Sequence, residues 1–335
     1  MDEKIDFIIS WVDGNDSNWL NERNHYAQME HMEIDNGAIR YRDWELLRYW
    51  FRGVEKFAPW VNNIYFITCG HLPEWLNISH PKLKIIKHSD YIPQEYLPTF
   101  NSNVIEYYLH NIPGLSEQFV YFNDDMFLTD NVLPPIFFKK GLPCDVGGMK
   151  STNNRGIFGT NVYLARMLIN DYFKKRDVIK KNLNKWFNYR YLFFSFRNIF
   201  YYFISGKEFV GFIDHHLPQP FLKETFINVW RNCEKDLIRS SKSKFREYGD
   251  VAFWLMRYWQ LASGEFFPCN AYKNGVYFEL GIDDMSEIEE CIRLQKKKLI
   301  CLNDSEFVVD FKRVKMEITK AFDNILPDRC SFEIK

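Results

Sequence analysis

The chain has no uninterrupted apolar run of eighteen residues, so no segment is expected to span a membrane. Its first residues, Met1-Asp2-Glu3-Lys4-Ile5-Asp6, lack the basic stretch and apolar core of a secretory leader. No Cys-x-x-Cys pair occurs. The seven cysteines, at 69, 144, 233, 269, 291, 301 and 330, are scattered and odd in number, which argues against a disulfide framework or zinc site and for reduced thiols in the cytoplasm. Charge of one sign is missing too: a net charge of −1 leaves no global footprint for nucleic acid. No internal repeat or low-complexity tract appears.

Aromatic residues, by contrast, are abundant: 31 Phe, 19 Tyr and 10 Trp. Most are expected to fill the core, although Tyr and Trp also suit sugar-stacking surfaces. A chain of 335 residues can bury a large core, and we expect a single catalytic domain over 1–335.

The stretch that organises the chain is Phe119 to Leu128. Val120-Tyr121-Phe122 reads as a short buried strand, after which Asn123, Asp124 and Asp125 arrive together. In open α/β sheets ligands bind beyond the carboxyl ends of strands. Two adjacent carboxylates there suit Mg²⁺, or Mn²⁺ in its place, with coordination positions left for substrate phosphates. The same three residues also suit a plain turn that caps the next element.

Other strand-like runs end in the same way. Ile5–Val12 runs into Asp13-Gly14-Asn15-Asp16, a turn or a nucleotide-holding loop. Arg40–Phe57 carries a helical apolar stripe with Asp43 as a candidate N-cap; Arg40, Arg42, Arg48 and Arg52 are solvated charges or, near the helix start, phosphate grips. Asn63–Thr68 and Leu83–His88 read as further strands, and a helix is expected from about Pro98 to His110. This order describes a doubly wound, nucleotide-binding α/β sheet.

From about 153 to 209 the character changes. Lys174, Lys175, Arg176, Lys180, Lys181 and Lys185 precede an aromatic run from Trp186 through Phe203. The segment suits a helical insertion that packs on the sheet, or one that faces an acceptor or an anionic membrane surface. Phe209–Asp214 reads as a strand delivering His215 and His216, with Pro218 and Pro220 keeping the following segment extended. Lys244-Phe245-Arg246 and Asp250 precede a helix expected over Val251–Met256, Ile300–Leu302 is a strand ending in Asn303-Asp304, and a last helix is expected over Asp310–Phe322. Carboxylates at 13, 124, 125 and 304, histidines at 215 and 216, and Arg246 make up the parts of phosphoryl-group transfer: a metal site, a general base and a phosphate clamp.

In order along the chain, four stretches resemble the conserved regions of the Stealth family of sugar-phosphate transferases. They are Ile5–Gly14, then Arg42–Tyr49 through Ala58-Pro59-Trp60, Pro73–Asn77, Pro98–Glu106 and Asn123-Asp124-Asp125, then His216-Leu217-Pro218 with Lys244-Phe245-Arg246 and Asp250, and finally Cys301–Asp304. One departure is Trp44-Glu45-Leu46-Leu47, where the family pattern is more polar.

The resemblance implies a Rossmann-like, mostly parallel sheet resembling metal-dependent glycosyltransferases. It also implies transfer of a sugar 1-phosphate from a nucleotide sugar, UDP-linked, to a hydroxyl of a glycan or lipid-linked oligosaccharide in capsular or exopolysaccharide synthesis. On both lines, Asp125 with Asp124 and Asp304 holds the metal. His216 is the base, preferred to His215 because His-x-Pro is the family pattern, and Arg246 clamps the phosphate. Asp13, Gly14, Arg42, Arg48 and Asn303 hold the donor. The expected place is the cytoplasm, at the inner face of the plasma membrane. A metal-dependent glycosyltransferase that releases a nucleoside diphosphate would use the same acidic strand ends, whereas a non-catalytic carbohydrate-binding protein would be expected to lack at least one of Asp125, His216, Arg246 and Asp304, all of which are present.

Overall fold

The computed structural model describes residues 4–30 and 42–334, so Met1–Glu3 and Arg40 from the sequence reading lie outside the described residues. In chain order, β1 (Ile5–Ser10), α1 (Ser17–Met29), α2 (Leu47–Phe57), β2 (Ile64–Thr68), β3 (Leu83–Lys87) and α3 (Ser102–Tyr107) come first. Next are β4 (Gln118–Phe122), β5 (Met126–Leu128), β6 (Phe138–Lys139) and β7 (Leu142–Asp145), followed by α4 (Gly156–Tyr172), α5 (Lys175–Lys181), α6 (Leu183–Trp186) and α7 (Leu192–Ile204). The last part holds β8 (Gln219–Leu222), α8 (Lys223–Ser241), α9 (Trp254–Ser263), β9 (Phe267–Pro268), α10 (Ala271–Asn274), β10 (Gly275–Glu279), α11 (Met285–Arg293), β11 (Leu299–Asn303) and α12 (Phe311–Ile325).

The central sheet has the order β3-β2-β1-β4-β8, with β1 to β4 parallel and β8 antiparallel at the edge. β2 and β4 are buried along their whole length, as runs covered on both faces must be. Alternation along β1 divides the core: Phe7 and Ile9 face α2, α11 and α12, while Ile8 faces the side of α3, α4, α8 and α9. Gly53 of α2 allows the helix to lie directly on β5, since a Cβ there would sit 2.9 Å from the Leu128 carbonyl oxygen.

Beyond the carboxyl end of β4 the chain turns at Asn123–Asp125, where the Asn123 carbonyl accepts the Met126 N–H at 3.2 Å. It then enters a smaller sheet of order β10-β11-β5, in which β11 pairs antiparallel with β5. The 153–209 segment is helical as expected. Val162, Ala165, Ile169, Val178, Ile179 and Trp186 join the same core as α8 and α9. Lys175 and Lys185 are turned inward rather than solvated: Lys175 donates to the Tyr201 carbonyl at 2.7 Å, and Lys185 to the Gly264 carbonyl at 2.5 Å. Among the described residues no helix is long and apolar enough to cross a membrane.

Four local expectations are corrected. The expected strand Phe209–Asp214 reduces to a single bridge, Met149 with Phe212; the strand lies after the histidines, as β8. Pro220 is tolerated there because an edge strand needs no N–H on its open side. Asp43 does not cap α2, which begins at Leu47; its carboxylate accepts the Glu45 N–H at 2.7 Å, and Glu45 has a φ of 54°. The helix expected from Pro98 to His110 is cut to Ser102–Tyr107, capped by Asn101, and the one expected at Val251 starts at Trp254.

Candidate active site

The antiparallel turn of β8 decides where the histidines go. Gln219 pairs with Tyr121 near the carboxyl end of β4, so the residues just before Gln219 lie over the turn that carries Asp124 and Asp125. His216 Nε2 comes to 3.4 Å from Asp125 Oδ2. Burial disfavours its imidazolium, yet Asp125 outweighs that and raises its pKa above the ordinary 6.5.

His215 points the other way and is fully buried. Its Nε2 lies 3.2 Å from Asp145 Oδ1, and the Gln219 amide approaches Nδ1 at 3.1 Å. Burial lowers its pKa, against the hydrogen bond and charge of Asp145. Arg257 donates to both Asp145 oxygens at 2.8 Å and to Asp214 at 3.0 Å. Burial pushes the Asp145 carboxyl up, but Arg257 and His215 together hold it down at about 2.

Asp125 is a crowded carboxylate with one free oxygen. Oδ2 receives the Cys301 thiol at 3.3 Å, whereas Oδ1 is buried and has no hydrogen-bond partner. Burial first, and Asp125 second, push the Cys301 thiol well above its ordinary pKa, so it stays a neutral donor. One ligand atom each from Asp125, His216 and Cys301 falls within 4.8 Å of the others. A hard cation prefers oxygen to a protonated thiol, so within this group the partnerless Asp125 Oδ1 is the atom suited to one, with Asp124 beside it in the turn. Surrounding protein, then the Asp125 charge, pushes the Asp124 carboxyl up to about 7, although its side chain opens to the solvent-filled cleft, which moderates that push.

A cleft of about 270 Å³ runs from this turn between Trp11, Val12, Arg42, Trp44, Asn303 and Asp304. Asp304, expected at the metal, is engaged otherwise. Arg42 donates Nε and Nη2 to its two oxygens at 2.9 and 2.5 Å, and the Trp44 indole N–H donates at 3.0 Å. That contact gives Trp44, the departure from the family pattern, a place: its ring also packs edge-on against Phe311 at 4.7 Å. Asn303 also lines the cleft. Asp13-Gly14 forms the turn that leaves β1 beside it, with the Asp13 N–H donating to His71 Nε2 at 2.6 Å.

Arg48 is a correction. Its guanidinium stacks 5.2 Å over Trp75, in a separate depression shared with Glu74 and Arg329. Because α2 starts at Leu47, it is Leu47 that turns to the cleft and Arg48 that turns away.

Arg246 reaches the site from a loop tied to the start of α3. Phe245 stacks on Phe100 at 5.2 Å, Asp250 accepts the Asn101 amide at 2.8 Å, and Arg246 donates Nε to Ser102 Oγ at 3.1 Å. Its charge acts on Glu106, a residue that the sequence reading quoted within a motif but gave no role. Burial pushes the Glu106 carboxyl up to about 7, against the pull of Arg246, the Tyr121 hydroxyl and His216. Tyr121 donates to it at 3.0 Å. The available signal was a lone acid in the apolar run Val104–Leu109.

The comparisons agree with one another. Residues 40–144 match conserved region 2 of the Stealth proteins. The capsular polysaccharide phosphotransferase WcwK of Streptococcus pneumoniae is 42% identical over 99% of this chain and 100% of its own length. The receptor polysaccharide phosphotransferase WefC of Streptococcus gordonii is 38% identical, with 100% of both chains covered. The exopolysaccharide phosphotransferase cps2G of Lactiplantibacillus plantarum is 37% identical over 98% of this chain and 96% of its own. Among solved structures, the bifunctional glycosyltransferase WbbM superposes at a TM-score of 0.39 and 10% identity, over 97% of this chain and 52% of that one, too slight to bear on the fold. With identity near 40% sustained over nearly all of both chains, this protein belongs to the Stealth family.

Proposed function

We propose that the protein moves a sugar 1-phosphate from a nucleotide sugar, UDP-linked, onto a glycan hydroxyl during capsular or exopolysaccharide synthesis. The acceptor is a glycan or lipid-linked oligosaccharide, met in the cytoplasm at the inner face of the plasma membrane. The observation that carries the reading is the position of His216 against Asp125, beside the buried oxygen that has no partner and within range of the Arg246 charge.

Asp125 and Asp124 would hold Mg²⁺ or Mn²⁺, which when bound neutralises charge on the donor phosphates. In the step itself the acceptor oxygen attacks the phosphorus that bears the sugar. The new O–P bond forms, the bond to the nucleotide's phosphate breaks, and a nucleoside monophosphate leaves. His216 takes the proton of the acceptor hydroxyl, with Asp125 orienting its ring through Nε2. Arg246 stabilises the non-bridging oxygens. Glu106, buried and hydrogen-bonded by Tyr121, lies within electrostatic range of Arg246 and His216 and tunes the charge balance around them. Arg42 and Asn303, with Asp13-Gly14 beside them, line the donor's place, and Asp304 holds the Arg42 fork in position.

The test is nucleotide release. Purified protein with UDP-sugars, Mg²⁺ and glycan acceptors is expected to release UMP, identified by chromatography. Release of UDP would mean attack at the anomeric carbon and would replace this reading with a glycosyltransferase.

A further inference from the structure

Helix α7 presents a face that no other part of the described chain covers. Phe193, Phe196, Ile199, Phe200, Phe203 and Ile204 are all exposed, Phe193 at 72% and Phe196 at 70%. At 100° per residue they fall within about 140° of the helix circumference. Soluble monomers rarely leave so many large apolar side chains contiguous in water.

The opposite side of the helix is firmly fastened. Asn198, fully buried, donates its amide to the Gly147 and Trp186 carbonyls, both at 2.6 Å, and accepts the Met149 N–H at 2.8 Å. Lys175 holds the C-terminal turn through the Tyr201 carbonyl and Ser205 Oγ. The outer row is therefore presented by a fixed scaffold.

Charge indicates what covers it. From Lys174 to Lys207 there are nine lysines and arginines and one aspartate, in a chain whose net charge is −1. Lys174, Arg176, Lys180, Lys181, Arg190 and Lys207 are exposed. Pairing with a second copy would bring two such cationic clusters together, which like-charge repulsion opposes. An apolar row in a segment rich in exposed cations instead matches the acyl boundary and phosphate layer of an anionic bilayer.

We propose that α7 docks flat on an anionic membrane, with its phenylalanine row at the acyl boundary and the flanking lysines and arginines on lipid phosphates. The inference is independent of the reaction at the cleft, yet it bears on where an acceptor is met. Ile213, two residues before His215, donates its N–H to the Gly148 carbonyl at 2.9 Å, so the segment that carries the histidines is hydrogen-bonded to the stretch Gly147–Met149 that anchors α7.

The test is flotation with vesicles of two parts phosphatidylcholine to one part phosphatidylglycerol, beside pure phosphatidylcholine. The wild type is expected to float with the anionic vesicles, weakly or not at all with the neutral ones, and less as salt rises. Phe196→Asp with Phe200→Asp is expected to cut binding at least about tenfold, since burial of even one phenylalanine is on the order of tenfold in partition. Lys180→Glu with Lys181→Glu is expected to reduce anionic-vesicle binding and its salt dependence. Both variants should keep wild-type melting temperature and turnover on a soluble acceptor. No vesicle binding by the wild type, or wild-type binding by the Phe196/Phe200 variant, overturns the proposal. So does a wild-type dimer in sedimentation that the same variant splits into monomers, which would make the face a self-association surface.

Discussion

Asp304→Asn and Arg42→Gln, singly and together, isolate the ion pair that lines the cleft beside the Asp124-Asp125 turn. The two side chains are only 15% and 20% exposed, and the guanidinium meets both carboxylate oxygens. Charge-assisted hydrogen bonds at that depth contribute roughly 1.5–3 kcal/mol, against about 0–1 kcal/mol for an exposed pair. Unfolding entropy of about 2.1 cal/mol/K per residue gives about 0.7 kcal/mol/K for a chain of this length, so a loss of about 2 kcal/mol lowers Tm by about 3 °C. Either single change strands its partner, and the double change should therefore cost little more than either alone. Calorimetry on the four proteins measures this. Additive losses, or an unchanged Tm in either single variant, refute the clamp. The same samples titrated with Mg²⁺ address the metal. A clamp leaves the Mg²⁺-induced rise in Tm intact in Asp304→Asn, whereas Asp125→Asn abolishes it; loss in Asp304→Asn but not in Arg42→Gln would make Asp304 a ligand after all.

Asp125→Ala, His216→Ala and Arg246→Ala are each expected to abolish nucleotide release with an unchanged circular dichroism spectrum, and wild-type turnover in any one removes that residue from the chemistry. Glu106 has a pKa of about 7 against an ordinary 4.5, so its contribution to stability is full below about 4.5 and is lost as pH rises to 7. That loss is on the order of 3 kcal/mol, or about 4 °C in Tm, and should vanish in Glu106→Gln, whose melting profile flattens over that interval. Arg257→Leu leaves the Asp145 carboxylate buried without its cation and is expected to cost about 3–5 kcal/mol, read as a fall of about 4–7 °C in Tm. A fall below 1 °C would show that Asp145 is neutralised some other way.

Much of the frame was legible because it is written locally. Ile5–Ser10, Ile64–Thr68 and Gln118–Phe122 are short, mostly apolar runs followed by polar residues, the pattern of strands buried on both faces. The meeting of His216 with Asp125 was implied by the family pattern. Its cause, the antiparallel edge strand β8, was hidden because Gln-Pro-Phe-Leu reads as loop until Pro220 is seen to lie at an edge. Arg48 was misplaced by the phase of one helix, a matter of where its first turn begins. Asp304 looked like a metal ligand because its partner Arg42 is 262 residues away, and no local pattern reveals a fork of that span. Glu106 needed its burial to be known before its chemistry could be read.

That same span orders events at the ribosome. Arg42 is made early, and at about 5–20 residues per second some 13–50 s pass before Asp304 is even polymerised. β5 also waits for β11, though over a shorter span, and pairs with it through Met126–Leu128 and Leu299–Cys301. Until the last stretch emerges, β5 lacks its partner strand and the cleft lacks the wall made by Leu302, Asn303 and Asp304. The strands of the central sheet, the last of them ending at Leu222, are all made before β11, which completes the smaller sheet.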